Sequence, residues 1–155
     1  MTMSSLYATS LGVLASAALF GPAVPADAVG GARAIAAHTL RGTETAHLHL
    51  VRANGAELLE EGSVSGPISG HMRARLDIGP TFTGSLTTYT RYGSIKGHGS
   101  AVPHGSGRYQ SFAGSGVATG GTGRYIHAHG RNGFYGVFDR RTYAVIIQTT
   151  GTLYY

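Results

Sequence analysis

The sequence predicts an all-β chain: a closed antiparallel β-barrel of about eight strands, preceded by a cleavable signal peptide. Three observations carry this expectation. Glycine accounts for 25 of 155 residues, beside nine tyrosines and no tryptophan. Without the every-third-residue glycine of collagen, that mixture suits short strands joined by tight turns. Apolar and polar residues also alternate, most strictly in His71–Ile78 (HMRARLDI). There Met72, Ala74, Leu76 and Ile78 share one face, and His71, Arg73, Arg75 and Asp77 the other, which marks a half-buried antiparallel strand. Finally, turn signals recur at short intervals, as in a sandwich or barrel. Closure is the favoured form because it leaves no unpaired edge.

The length suits one domain. With 42% hydrophobic and 12% charged residues, the chain is too apolar for a disordered segment. It has no cysteine, which excludes thiol catalysis and cysteine-based zinc sites.

The first residues have their own logic. Leu11–Phe20 (LGVLASAALF) is an apolar run of signal-peptide length, too short to span a bilayer. Pro22, Pro25 and Ala26-Asp27-Ala28 follow, and the small-x-small rule places cleavage after Ala28. The chain is therefore expected to divide into a signal peptide, 1–28, a linker or loosely attached first strand, 29–42, and a barrel domain, 43–155. The stretch before the apolar run, MTMSSLYATS, lacks the usual Lys or Arg; a misassigned start codon would explain that. The mature product is expected to be secreted, with no membrane span.

The strands are expected in order. In Glu44–Val51, Ala46, Leu48 and Leu50 share one face and His47 and His49 the other. Asn54-Gly55 then signals a type I′ hairpin, with a return from Ala56 to about Ser65, ended by Gly66-Pro67. After 71–78 come Thr81–Arg91, Ser94–Val102, Tyr109–Thr119, Ala128–Phe138 and Arg141–Leu153. Gly79-Pro80, Tyr92-Gly93, Pro103-His104-Gly105, Gly120-Gly121 and Asp139-Arg140 separate them. No helix is expected after the leader.

The second half holds a near-repeat. Residues 105–114 (GSGRYQSFAG) and 121–130 (GTGRYIHAHG) share G-x-G-R-Y-x-x-x-x-G. Each copy is expected to turn one strand into the next. Gly120–Gly130 (GGTGRYIHAHG) resembles the G-G-T-G-R-[FY]-x-x-A-x-G signature of the allene oxide cyclase and dirigent group. The resemblance covers roughly residues 105–155, where the closing run Thr149–Tyr155 also looks like the group's last barrel strands. It implies an eight-stranded barrel, and a function as cyclase, isomerase or stereochemical guide for a hydrophobic substrate. It also brings in homo-oligomers, since trimers are common in that group. No catalytic residue carries over, because the signature is a turn device.

The formal charge is +5, and loss of residues 1–28 removes one acid and no base. The bases are dispersed, with no run longer than Arg140-Arg141, so no nucleic-acid footprint is expected. Glu57, Glu60 and Glu61 cluster on one strand with Glu44 on its partner. Glu60, Tyr89 and Tyr143 are the candidates for acid–base chemistry inside a barrel, where desolvation would raise a carboxyl pKa. Phe82, Tyr89, Tyr135 and Tyr143 are the candidates for lining a ligand cavity. Against this stands simple core filling, common in small barrels. His47, His49, His127 and His129 form two H-x-H pairs that strand geometry would put on one face each. Surface histidines are the favoured reading, so neither metal nor cofactor is expected. Arg108 and Arg124 fall at matching places in the repeat and are expected to brace its turns.

No nucleophile elbow, phosphate-binding loop or dinucleotide fingerprint is present. The expected function is a secreted barrel that binds a small hydrophobic molecule or serves an extracellular structural role. The alternative is the cyclase, isomerase or guide that the resemblance implies.

Overall fold

The computed structural model describes residues 38–155; the expected signal peptide and residues 29–37 of the expected linker lie outside the described residues. Eight strands run β1 (Thr39–Asn54), β2 (Glu57–Ser65), β3 (Gly70–Asp77), β4 (Phe82–Thr90), β5 (Gly93–His104), β6 (Tyr109–Gly121), β7 (His129–Asp139) and β8 (Val145–Tyr154). Each pairs antiparallel with the next, and β8 pairs with β1, so the sheet is a closed barrel. The closing seam runs from Thr39↔Tyr154 to Leu48↔Val145. Thr39–Gly42, expected in the linker or loosely attached first strand, are thus members of that seam.

The alternation read from the sequence sets the inside. Ala46 and Leu48 on β1 and Met72 and Ala74 on β3 are buried, while His47, His49, Arg73 and Arg75 face out. On β2 the adjacent Leu58 and Leu59 leave the phase open in the sequence. The structure buries Leu58, Glu60 and Val64 and turns Glu57, Leu59 and Glu61 outward. A bulge at Val51 shifts the β1–β2 register, and another at Thr119 shifts β5–β6. Each adds a residue to one strand and tightens its bend.

Three local expectations change. The first hairpin closes over Gly55-Ala56, since Asn54 pairs with Glu57. Only Gly55 has positive φ, at 61°, the pattern of a type II′ rather than a type I′ turn. The last strand starts at Val145 instead of Arg141. Residues 140–144 turn instead, with Tyr143 at φ 61° and its N–H on the Asp139 carbonyl at 2.7 Å. Finally, Gly123–Tyr125 forms a short 3-10 helix where no helix was expected. The two repeat copies therefore differ: the first is a plain β5–β6 turn, the second a helical β6–β7 connection.

Their arginines differ too. Arg108 donates to Asp139 at 3.1 and 2.8 Å, clasping the β5–β6 turn to the end of β7. That pairing holds the Asp139 carboxyl far below its usual range. Arg124 instead lies over the rings of Tyr92 and Tyr155, at 5.5 and 5.2 Å.

The interior holds two apolar clusters. One gathers Leu48, Leu58, Val64, Phe112, Phe138 and Val145 with small neighbours. The other, around Ile68, Ile95, Tyr125, Ala128 and Leu153, includes the helical connection. Between them one row of inward positions is almost bare. Gly84 pairs with Gly99, Gly99 with Gly116, Gly116 with Asn132, Asn132 with Gly151, and Gly151 with Gly42. Six adjacent strands thus contribute five glycines and a single side chain. The row makes room for larger groups: a Cβ on Gly84 would fall 2.7 Å from Leu76 Cδ2, and one on Gly151 2.6 Å from Asn132 Cβ.

Gly99→Ala is expected to destabilise the barrel by about 1–3 kcal/mol, because added bulk in a fitted interior forces the backbone to shift. Its Cβ would lie 2.7 Å from the Ser115 carbonyl oxygen and 3.0 Å from the Phe134 ring. Gly133→Ala is the control, since its Cβ would meet nothing closer than 4.0 Å; it should be neutral or stabilising. Urea unfolding of both variants reads the difference.

Candidate functional site

The bare row leaves a cavity of about 170 Å³ between the two clusters. Met72, Leu76, Phe82, Leu86, Phe134 and Ile147 line it with apolar surface. Phe82 stands in an aromatic group, with ring centroids 5.9 Å from Phe112 and 5.8 Å from Phe138. Phe134 continues it at 6.4 Å from Phe112. Tilted and edge contacts of this kind fix the rings and so the shape of the cavity.

Few polar side chains reach this space: Glu44 on β1, Thr88 on β4, Asn132 on β7 and Thr149 on β8. Glu44 and Thr149 are register partners. Burial pushes the Glu44 carboxyl up from 4.5 to about 7, against a smaller opposing hydrogen bond from the Ile68 backbone. Asn132 folds its amide over Gly116, where a Cβ would stand 2.9 Å from Oδ1. That oxygen is enclosed and has no hydrogen-bond partner.

A second carboxyl is enclosed deeper in the barrel. Glu60 is 0% exposed, between its register partners Leu50 and Ala74, and neither carboxyl oxygen has a partner. Desolvation alone raises it to about 8. It is therefore a neutral acid at pH 7, surrounded by the first cluster and not part of the cavity wall.

The sequence-derived candidates scatter. Phe82 lines the cavity. Tyr89, Tyr135 and Tyr143 do not: all three are exposed, Tyr135 at 57%. Tyr89 and Tyr135 lie out of phase with Phe82 and Phe134 on the same strands, so the pleat turns them outward. Tyr135 donates to the Gln148 side chain on the outer face. Tyr143 sits in the turn before β8 with its ring 6.0 Å from Phe138. Glu60 points inward as a catalytic carboxyl would, but does not line the cavity.

The four histidines do not converge. His47 and His49 face solvent on β1, level with Ile146 and beyond on the barrel seam. His129 pairs with Tyr154, about 27 Å further along β8 at strand rise. His127 lies outside any strand, and its carbonyl contacts the His129 ring at 2.9 Å. Among the described residues no group of three or more His, Asp or Glu is placed to hold a metal ion.

Two residues of the site were not singled out from the sequence, though Glu44 was noted beside the acidic cluster of β2. Glu44 continues the inward phase of Ala46, Leu48 and Leu50 by one step. Asn132 shares the phase of Phe134 and Phe138. Both signals were present as alternation; the glycines between them carry no polarity to mark a face.

Comparison of the chain with protein-family models, with curated proteins and with solved structures returns no match. The class is therefore defined by the fold and site alone: a small closed antiparallel barrel with a mostly apolar internal cavity. Among the described residues no helix is long and apolar enough to cross a membrane.

Glu60 makes stability pH-dependent. Its folded-state pKa lies above 4.5, so the folded barrel holds a proton that the unfolded chain releases between pH 4.5 and about 8. The contribution is present at low pH and is lost as pH rises across that window, by up to about 1.4 kcal/mol per pH unit. Glu60→Gln removes this slope, so its stability relative to wild type should grow from pH 5 to 8 and then level off. Urea unfolding across that range measures it.

Proposed function

We propose that this barrel is a secreted carrier or receptor for one small hydrophobic molecule, held in the cavity between the two apolar clusters. The cavity itself carries the reading. Small barrels of eight strands are commonly filled by their own side chains; this one leaves about 170 Å³ unfilled behind a row of glycines. A dry apolar cavity of about 150 Å³ suffices for benzene, so a single ring or a short branched chain is the matching size. Export rests on the leader-like apolar run at residues 11–20 and the small residues that end it.

A second reading has one specific observation behind it. Glu44 stands on the cavity wall with its carboxyl near pH 7, the range that suits a group able both to give and to take a proton. A cyclase, isomerase or guide acting on the bound molecule would use it as the acid–base group.

Toluene added to the purified barrel is expected to bind, raising the melting temperature as its concentration rises. Ala101→Leu, which fills the cavity from β5, should abolish that rise. No binding of toluene or other one-ring probes overturns the binding reading. Glu44→Gln is expected to leave toluene binding intact. In the second reading it would also abolish proton exchange on a bound substrate. Sequencing the first residues of protein recovered from culture medium tests export; a start at Val29 is the expected result.

A further inference from the structure

The outer side of the glycine row forms a second, more open concavity of about 620 Å³. Two rungs of outward side chains rim it. One runs Asp77↔Thr83↔Ser100↔Ser115 across β3 to β6. The other runs Arg75↔Ser85↔His98↔Val117↔Arg131 across β3 to β7. Gly84, Gly99 and Gly116 floor the groove with bare main chain. It crosses five strands, a span of about 19 Å at normal strand spacing.

The chemistry of the rims is uneven. At the β3 end Arg75 is taken by Glu57 at 3.2 Å, and Asp77 adds a second carboxylate, so this end repels an anion. At the β7 end Arg131 has no carboxylate partner among the described residues, and His98 lies on the same rung. Between the ends the hydroxyls of Thr83, Ser85, Ser100 and Ser115 face the groove without a protein hydrogen-bond partner among the described residues. Val117 is the one apolar side chain on the two rungs. Hydroxyls both donate and accept, and a guanidinium binds a carboxylate as a planar fork. A ligand matching this surface is long, rich in hydroxyls and negatively charged at one end.

We propose that this groove binds an acidic oligosaccharide: sugar hydroxyls lie along the serine and threonine rungs, and a carboxylate pairs with Arg131, which Val117 separates from His98. A one-ring apolar molecule matches the closed cavity; this open groove, rimmed by hydroxyls, suits a ligand that stays hydrated. The two sites share the glycine wall but take chemically opposite ligands.

The test uses the barrel with short galactose oligomers ending in a single galacturonic acid and, as the neutral counterpart, galactose oligomers of equal length, by calorimetry and amide chemical-shift mapping. The acidic oligomer is expected to bind about tenfold or more tighter than the neutral one, the gain of one charged hydrogen-bonded pair. Its affinity should fall with added salt. Arg131→Gln should remove that advantage, and the double change Ser100→Ala, Ser115→Ala should weaken both oligomers. Shifts should centre on Thr83, His98 and Ser115. Arg140→Gln, in the turn after β7, controls for general attraction to a basic protein and should leave binding within about twofold. Absence of binding, equal binding of the neutral oligomer, shifts elsewhere, or an equal loss in Arg140→Gln would each overturn the proposal. Toluene binding is read separately, so failure here leaves the cavity reading standing.

Discussion

Everything in this molecule depends on β8 pairing back onto β1. The seam joins Thr39–Leu48 to Val145–Tyr154, the two ends of the described chain, by main-chain hydrogen bonds. Closure gives every strand two neighbours, so no edge offers its backbone to another chain. It also fixes which residues share a circumferential row, because each register pair sets the next. A shift of one residue on any strand would turn its inward face outward. The cavity and the groove both follow from where that registration sets the glycines.

The row of glycines has two effects from one cause. Inside, absent side chains leave space that Leu76, Phe134 and Asn132 only partly reoccupy. Outside, the same stretch is flanked by two rungs of outward, mostly polar residues, leaving a groove. An interior filled with leucine and phenylalanine would maximise dispersion contacts and burial. This barrel forgoes part of that stabilisation along a continuous band. It also encloses two carboxyls, one with no polar partner at all, where apolar groups would be more stable. Concentrated in one molecule, these departures from the most stable filling point to use rather than to packing.

The sequence displayed the strands well and the site poorly. Glycine, proline and asparagine punctuated the strands because turns demand unusual backbone angles, and those signals are local. Facing was legible on β1 and β3, where apolar and charged residues alternate without a break. It failed at Leu58-Leu59, where two adjacent apolar residues give no phase, and only the ladder to β3 places Glu60 inside. Tyr89 and Tyr135 looked like cavity residues by type. Continued counting from Phe82 and Phe134 puts them on the other face, and the structure exposes them. Tyr143 misled for a different reason: its left-handed backbone ends the extended run that the sequence placed there. The glycine row was invisible in one dimension, since its members come from six strands and meet only through long-range registration.

The ends of the described barrel carry one more consequence. His38 and Tyr155 exchange main-chain hydrogen bonds at 2.7 and 2.9 Å, with their rings stacked 5.6 Å apart. On the β5–β6 turn, Gly105 and Gly107 have open space around them. A short linker joining 155 to 38, with new termini cut between 105 and 107, would preserve every ladder pair. The order in which the strands are translated is thus separable from the order in which they encircle the interior. Such a circular permutant would bring β6 through β8 off the ribosome before β1.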